Sequence, residues 1–338
     1  MSNRISHPGA YPSPRDSRDW LHKNVSKTLI RNIPAEGGID EVPLIIHDQE
    51  DLPTCTGEAG SYLQMINQYF ETGQMVDLSP MFLYKMNREI DGLPPETEGS
   101  TVKATVQTLR IRGVCREILF PSTRANYERA LPGNRQLGRI LRNAYQNRIV
   151  AYTKCLDLDD ILTALAEKKP VIFSMYLLSN FYKARRGLVP ASVGGDNIGG
   201  HAMVALKYNL DERWVKVTQS WGRSSPLTDK GYMYIPFDWF TYNVKPDFPM
   251  LMEAYTVLDY IPEEAKQMSS SLALSKLPVK IEVNNEVVKD LNIQPILINE
   301  TGIPLVRAEI LEKVFESLTG QKVKVTWNQD DYVLKINI

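Results

Sequence analysis

From Cys55 onward, Ala59, Tyr62, Leu63, Ile66, Tyr69 and Phe70 recur at three- and four-residue steps. That spacing predicts a helix with one apolar face and with Cys55 on its first turn. Asp77 to Met86 reads as a second, capped helix, Thr101 to Gly113 as a third ending at glycine, and Asp157 to Lys168 as a fourth. The pattern then changes period. Pro170 to Leu177 has the β-branched and aromatic content of a buried strand, and His201 to Tyr208, Trp214 to Thr218 and Gly231 to Pro236 are short strand signals. Between them lie the turns Asn209-Leu210-Asp211-Glu212 and Asp229-Lys230-Gly231. The fold class this predicts is α+β, with a helical lobe followed by a β lobe.

Residues 1–40 are rich in Pro, Ser, Arg and Asp and show little periodicity, which predicts an extended arm over the body formed by 41–262. Residues 263–277 are polar and contain the triple serine of a linker. A small α+β module at 278–338 follows, with a strand at Val279 to Val283, a turn at Asn284-Asn285, a helix at Arg307 to Leu318 and two terminal strands.

Composition narrows the function classes. Of 338 residues, 43% are hydrophobic and 23% charged, enough apolar material for a buried core. Thirty-nine Lys and Arg against 40 Asp and Glu leave a net charge of -1, so the average charge gives no reason to expect nucleic acid or an anionic membrane as partner. Cys55, Cys115 and Cys155 are too few and too scattered for a disulfide framework, and no Cys/His pair has zinc spacing. Neither a metal nor another cofactor is expected. The first twenty residues lack the apolar core of a signal peptide, and no run is long enough for a membrane span. The expectation is cytoplasmic synthesis without classical export, with release by lysis or inside a particle left open.

The candidate chemistry starts with Cys55. A helix N-terminus presents unpaired amides and the positive end of the dipole, which favours thiolate over thiol and predicts a lowered pKa. Gln49, six residues earlier in the loop, carries an amide able to donate to a tetrahedral oxyanion beside the Cys55 N–H. His201, which opens a predicted strand after Gly199-Gly200, is the candidate base, and the glycines remove bulk beside its imidazole. Gln219, near the end of the next strand, is placed to orient His201, and Trp221 to shield that bond. On these local patterns alone, Cys55 as a small buried helix residue and His201 as a structural strand histidine stay open. His7, His22 and His47 have weaker contexts.

Taken in order, these pieces resemble the papain-like cysteine peptidases, in particular their bacterial and viral branch with short N-terminal arms. The family's loop of Asp-Gln leading to Gly-Ser-Cys is matched by Asp48-Gln49 leading to Pro53-Thr54-Cys55. Leu78-Ser79-Pro80-Met81-Phe82-Leu83-Tyr84, Gly199-Gly200-His201-Ala202, Gln219-Ser220-Trp221-Gly222 with Gly231-Tyr232, the arm Pro14 to Trp20 and Gly113-Val114-Cys115 match further motifs. The resemblance covers residues 12–258. It implies a two-lobed fold, a peptide or protein substrate, Cys55 as nucleophile, His201 as acid and base, Gln219 and Gln49 as their supports, and Gly199, Gly200 and Trp221 along the substrate path.

The departures are specific. Gln219 stands where the family has Asn, Pro53-Thr54 where it has Gly-Ser, Thr56 where it commonly has Trp, and Glu58 adds a negative charge near the thiol. They support an alternative: a catalytically weak or inactive papain-like protein acting as a structural or binding component of a phage, spore or secreted assembly. The C-terminal module resembles the small domain named after the N-terminus of copper amine oxidases, which implies an accessory, adhesive unit able to drive homo-oligomers or larger assemblies. It contains neither His nor Cys, so no copper is implied.

Overall fold

Ser79, Thr101 and Asp157 each close the first turn of a helix by accepting the amide three residues on, from Phe82, Ala104 and Asp160. These caps fix where the three helices begin. The computed structural model describes residues 9–258, apart from 27, 29, 40, 41 and 247, and the backbone of four strands further on.

In chain order the elements that build the site are as follows. Strand β1 (Ala10–Tyr11) belongs to the arm, and β2 is Glu36–Gly38. Helix α1 (Cys55–Thr72) ends at Gly73, whose φ of 71° supplies the left-handed turn that returns its N–H to Tyr69. Helix α2 is Pro80–Arg88. After β3 (Ser100–Thr101) comes α3 (Val102–Ile111), then α4 (Asn134–Gln146) and β4 (Tyr152–Cys155). Helix α5 is Leu158–Ala166, and the remaining strands of the central sheet are β5 (Val171–Leu178), β6 (Asn197–Asn209), β7 (Trp214–Thr218), β8 (Tyr232–Pro236) and β9 (Leu251–Val257).

One antiparallel sheet runs β4-β9-β5-β6-β7-β8, with β2 paired to the end of β6. Strand period 2 divides β6 between two cores. Ala202, Val204 and Leu206 join the apolar cluster built by α1, α2 and α3, whereas Met203 and Ala205 join the cluster under α5 with Phe173 and Trp239. The two lobes therefore share the central strands, and Cys55 and Trp221 sit in different clusters that meet there.

Three expectations change. His201 does not open its strand: β6 begins at Asn197, and Gly200 and His201 pair with Tyr176 and Met175 in its interior. The arm is not featureless, because β1 pairs in parallel with β3 and short helical turns follow at His22–Val25 and Ile30–Asn32. Helix α4 and strands β4 and β9 are elements the hydrophobic pattern did not announce.

The chain divides into two units, Met1–Pro262 and Glu263–Ile338. In the second, β10 (Lys280–Val283), β11 (Glu286–Val287), β12 (Lys324–Asn328) and β13 (Val333–Asn337) form a sheet of order β11-β10-β13-β12, with β10 and β13 parallel. The linker expected at 263–277 and the helix expected at Arg307 to Leu318 lie outside the described residues. No helix among the described residues is long and apolar enough to cross a membrane.

Candidate active site

Helix α1 presents Cys55 at its N-terminus, fully buried. The backbone N–H groups of Ala202, Gly9 and Thr56 point at its sulfur. The first of these places the thiol beside the residue that follows His201, so the fold brings Cys55 to the strand that carries His201, 146 residues later in the chain. Burial nevertheless dominates the electrostatics. It pushes the Cys55 thiol up to about 11 against those three amides, with Glu58 pushing the same way. The lowered pKa expected from the helix dipole is therefore overturned in this covered state.

His201 is buried too, and burial lowers its imidazole to about 4, opposed by its bond to Gln219. Its Nε2 lies 2.8 Å from Gln219 Oε1, while Gln219 Nε2 reaches Met203 Sδ at 3.1 Å. An amide that spends its N–H on sulfur presents its oxygen to the ring, so His201 Nε2–H donates and neutral His201 keeps its lone pair on Nδ1. Trp221 stacks on the imidazole at 5.4 Å and 29°, and Tyr182 stacks on Trp221 at 5.6 Å. The shield expected of Trp221 is thus a two-ring stack.

Gln49 is buried and engaged. Its Nε2 donates to Leu52 O at 2.7 Å, and its Oε1 accepts from Ser220 Oγ. Main-chain bonds from Gln49 N to Ser220 O (2.8 Å) and from Gly222 N to His47 O (3.0 Å) zip residues 47–49 to 220–222. That zipper holds the loop before Cys55 to the segment that follows Gln219. Gly200 faces the arm rather than the imidazole: a Cβ there would stand 2.1 Å from Ala10 O. A Cβ on Gly9 would likewise stand 2.4 Å from Pro53 O. Gly199, at φ +127°, bends the strand just before this contact. The arm consequently lies directly on the thiol, on the loop before it and on the glycines before His201.

A family model search matches none for this chain. The chain is 24% identical over 217 residues to an uncharacterized peptidase C1-like protein of Acanthamoeba polyphaga mimivirus, covering 61% of this chain and 69% of the viral one. Its structure superposes on that of xylellain, a cysteine protease from Xylella fastidiosa, with a TM-score of 0.62 and 21% identity, over 76% of this chain and 98% of the other. The fold is that of the papain-like cysteine peptidases. Digestive procathepsin L 3 of the Tenebrio molitor larval midgut gives a TM-score of 0.51 at 12% identity, over 76% of each chain. These similarities are consistent with a hydrolase.

The papain-like site has a neighbour that the sequence motifs passed over. His47, with 15% of its side chain exposed, stands between two carboxylates, 2.8 Å from Asp77 and 3.3 Å from Glu58. Burial opposes its charge, but the hydrogen bond to Asp77 and the nearby Glu58 carboxylate outweigh it and raise the imidazole to about 10. The negative charge expected of Glu58 beside the thiol is accordingly met by a cation. Burial still raises the Glu58 pKa, with His47 opposing. Among the described residues no group of three or more His, Cys, Asp or Glu is placed to hold a metal ion.

Proposed function

We propose that this chain is a cysteine peptidase kept covered by its own N-terminal arm. The observation that carries the reading is the thiol at a helix N-terminus against the backbone of Ala202, next in sequence to a histidine whose tautomer is set by Gln219. In the uncovered enzyme His201 Nδ1 accepts the Cys55 proton, and the thiolate attacks the carbonyl carbon of a peptide. The Cys55 N–H and the second N–H of Gln49 are the donors nearest the resulting oxyanion. Imidazolium then returns its proton to the leaving amine, and water, activated by the same ring, releases the acyl group from sulfur.

The covered state accounts for the inverted acidities. With the thiol near 11 and the imidazole near 4, the proton rests on sulfur. Lifting Gly9 and Ala10 admits water, and a return of the thiol toward its free value of about 8.5 raises the thiolate fraction by more than about a hundredfold. Reaction with a peptidyl epoxide or fluoromethylketone is the test. Labelling should be slow in the full chain, at least about tenfold faster after deletion of residues 1–12, and absent in Cys55→Ala. If the deleted form remains folded and unlabelled under reducing conditions, the alternative of an inactive binding component takes its place. That alternative draws on the neutral Cys55 and on the longer Gln219 side chain. In either reading the C-terminal unit is proposed as an accessory module for assembly.

A further inference from the structure

The chain's charge is nearly balanced, but its distribution is not. Residues 110–148 hold nine arginines, no lysine and two glutamates, a net +7 in a chain of net -1. Helix α4 concentrates the effect. Arg135, Arg139 and Arg142 are all exposed and, at 3.6 residues per turn, fall within about 60° of one another on the face opposite buried Ile140 and Ala144. The helix contains no acidic residue, and no carboxylate among the described residues pairs with any of the three. Like charges at i,i+4 and i,i+3 destabilise a helix, and Arg135 in the first turn opposes the dipole. This stripe is therefore a cost to the isolated fold, not a contributor to it.

Apolar side chains border the stripe. Leu141 and Tyr145 are 36% and 58% exposed on its flank. The amide of Arg116 donates to Asn143 Oδ1 at 2.9 Å, which holds the neighbouring Ile118, 83% exposed, beside the same helix. Aliphatic groups such as Leu141 and Ile118, beside guanidinium forks that no carboxylate among the described residues neutralises, gain nothing from a nucleic-acid backbone, whereas both find partners at a lipid headgroup and acyl boundary. We propose that the outer face of α4 docks the chain on an anionic phospholipid bilayer. Asn147, just past α4, is bonded to Gln68, thirteen residues or about 20 Å along α1 from Cys55. Docking there engages the end of α1 remote from the thiol.

The test is sedimentation of the full chain with vesicles of phosphatidylcholine alone and of phosphatidylcholine mixed with phosphatidylserine. Binding is expected only to the mixed vesicles, and it should weaken as salt is raised. The triple variant R135Q/R139Q/R142Q, checked for an unchanged thermal melt, should lose at least about tenfold in partition. The loop variant R185Q/R186Q, which also removes two exposed arginines, should bind as the parent does. Equal binding by the parent and the triple variant, or no binding to anionic vesicles at low salt, overturns the proposal. So does binding confined to duplex DNA, which would reassign the stripe to nucleic acid.

Discussion

Replacing His47 by Gln removes the cation between Glu58 and Asp77 while keeping a polar side chain of similar reach. The partners differ in weight. Asp77 is 41% exposed, so water compensates its loss, but the Glu58 side chain is 3% exposed on the helix that carries Cys55. A buried carboxylate left without its partner costs about 3–5 kcal/mol, and it escapes part of that by taking up a proton. Chemical denaturation of the 1–262 unit at pH 7 should therefore show His47→Gln less stable by about 3–5 kcal/mol, with more than half recovered in His47→Gln/Glu58→Gln. The pH dependence has a definite sign. His47 rises from 6.5 in the unfolded chain to about 10 when folded, so its contribution is complete below about 6.5 and is lost as pH rises through about 10. The penalty of the single variant should shrink over that interval. A penalty below about 1 kcal/mol, or one that Glu58→Gln fails to relieve, would refute the account of a charged bridge.

Gln219→Ala leaves the His201 ring without its acceptor at 2.8 Å. The rate of Cys55 labelling in the arm-deleted enzyme should fall at least about tenfold with little change in Tm, and Gln219→Asn should recover part of it. Gly200→Ala drives a methyl group into the backbone carbonyl of Ala10. Limited proteolysis should then cut the arm faster and Cys55 should label faster in the otherwise intact chain; an arm as protected as in the parent would contradict the contact. Glu253, buried on β9, accepts the amides of Val102 and Lys103 at 2.7 and 3.2 Å at the start of α3. Glu253→Ala should destabilise the unit by about 3 kcal/mol, read from the denaturation midpoint at constant m-value.

Local chemistry was enough for much of this molecule. The 3.6-residue spacing from Ala59 to Phe70, the caps Ser79, Thr101 and Asp157, and the β-branched run at 171–178 act within a few residues of themselves, and each element formed where its pattern placed it to within three residues. Of the residues in the ordered motifs, His201 and Gln219 meet at 2.8 Å, and Cys55 lies against the amide of Ala202 on the same strand as His201. Helix α4 escaped notice because arginines and Gly138 dilute an apolar stripe that amounts to little more than Leu137, Ile140 and Ala144.

What only the tertiary structure decided are the quantities that depend on distant neighbours. His47 is an unremarked loop residue until the chain brings Asp77 and Glu58 to either side of it, thirty and eleven positions away. The helix dipole at Cys55 is present in the sequence pattern, but the burial that outweighs it, even against the amides of Gly9 and Ala202, exists only once distant parts of the chain close over the thiol. A pKa is set by everything that excludes water from a group, whereas a helix is set by residues three and four apart. For that reason the helix that carries Cys55 and the strand that carries His201 were legible along the chain, and the burial of both side chains was not.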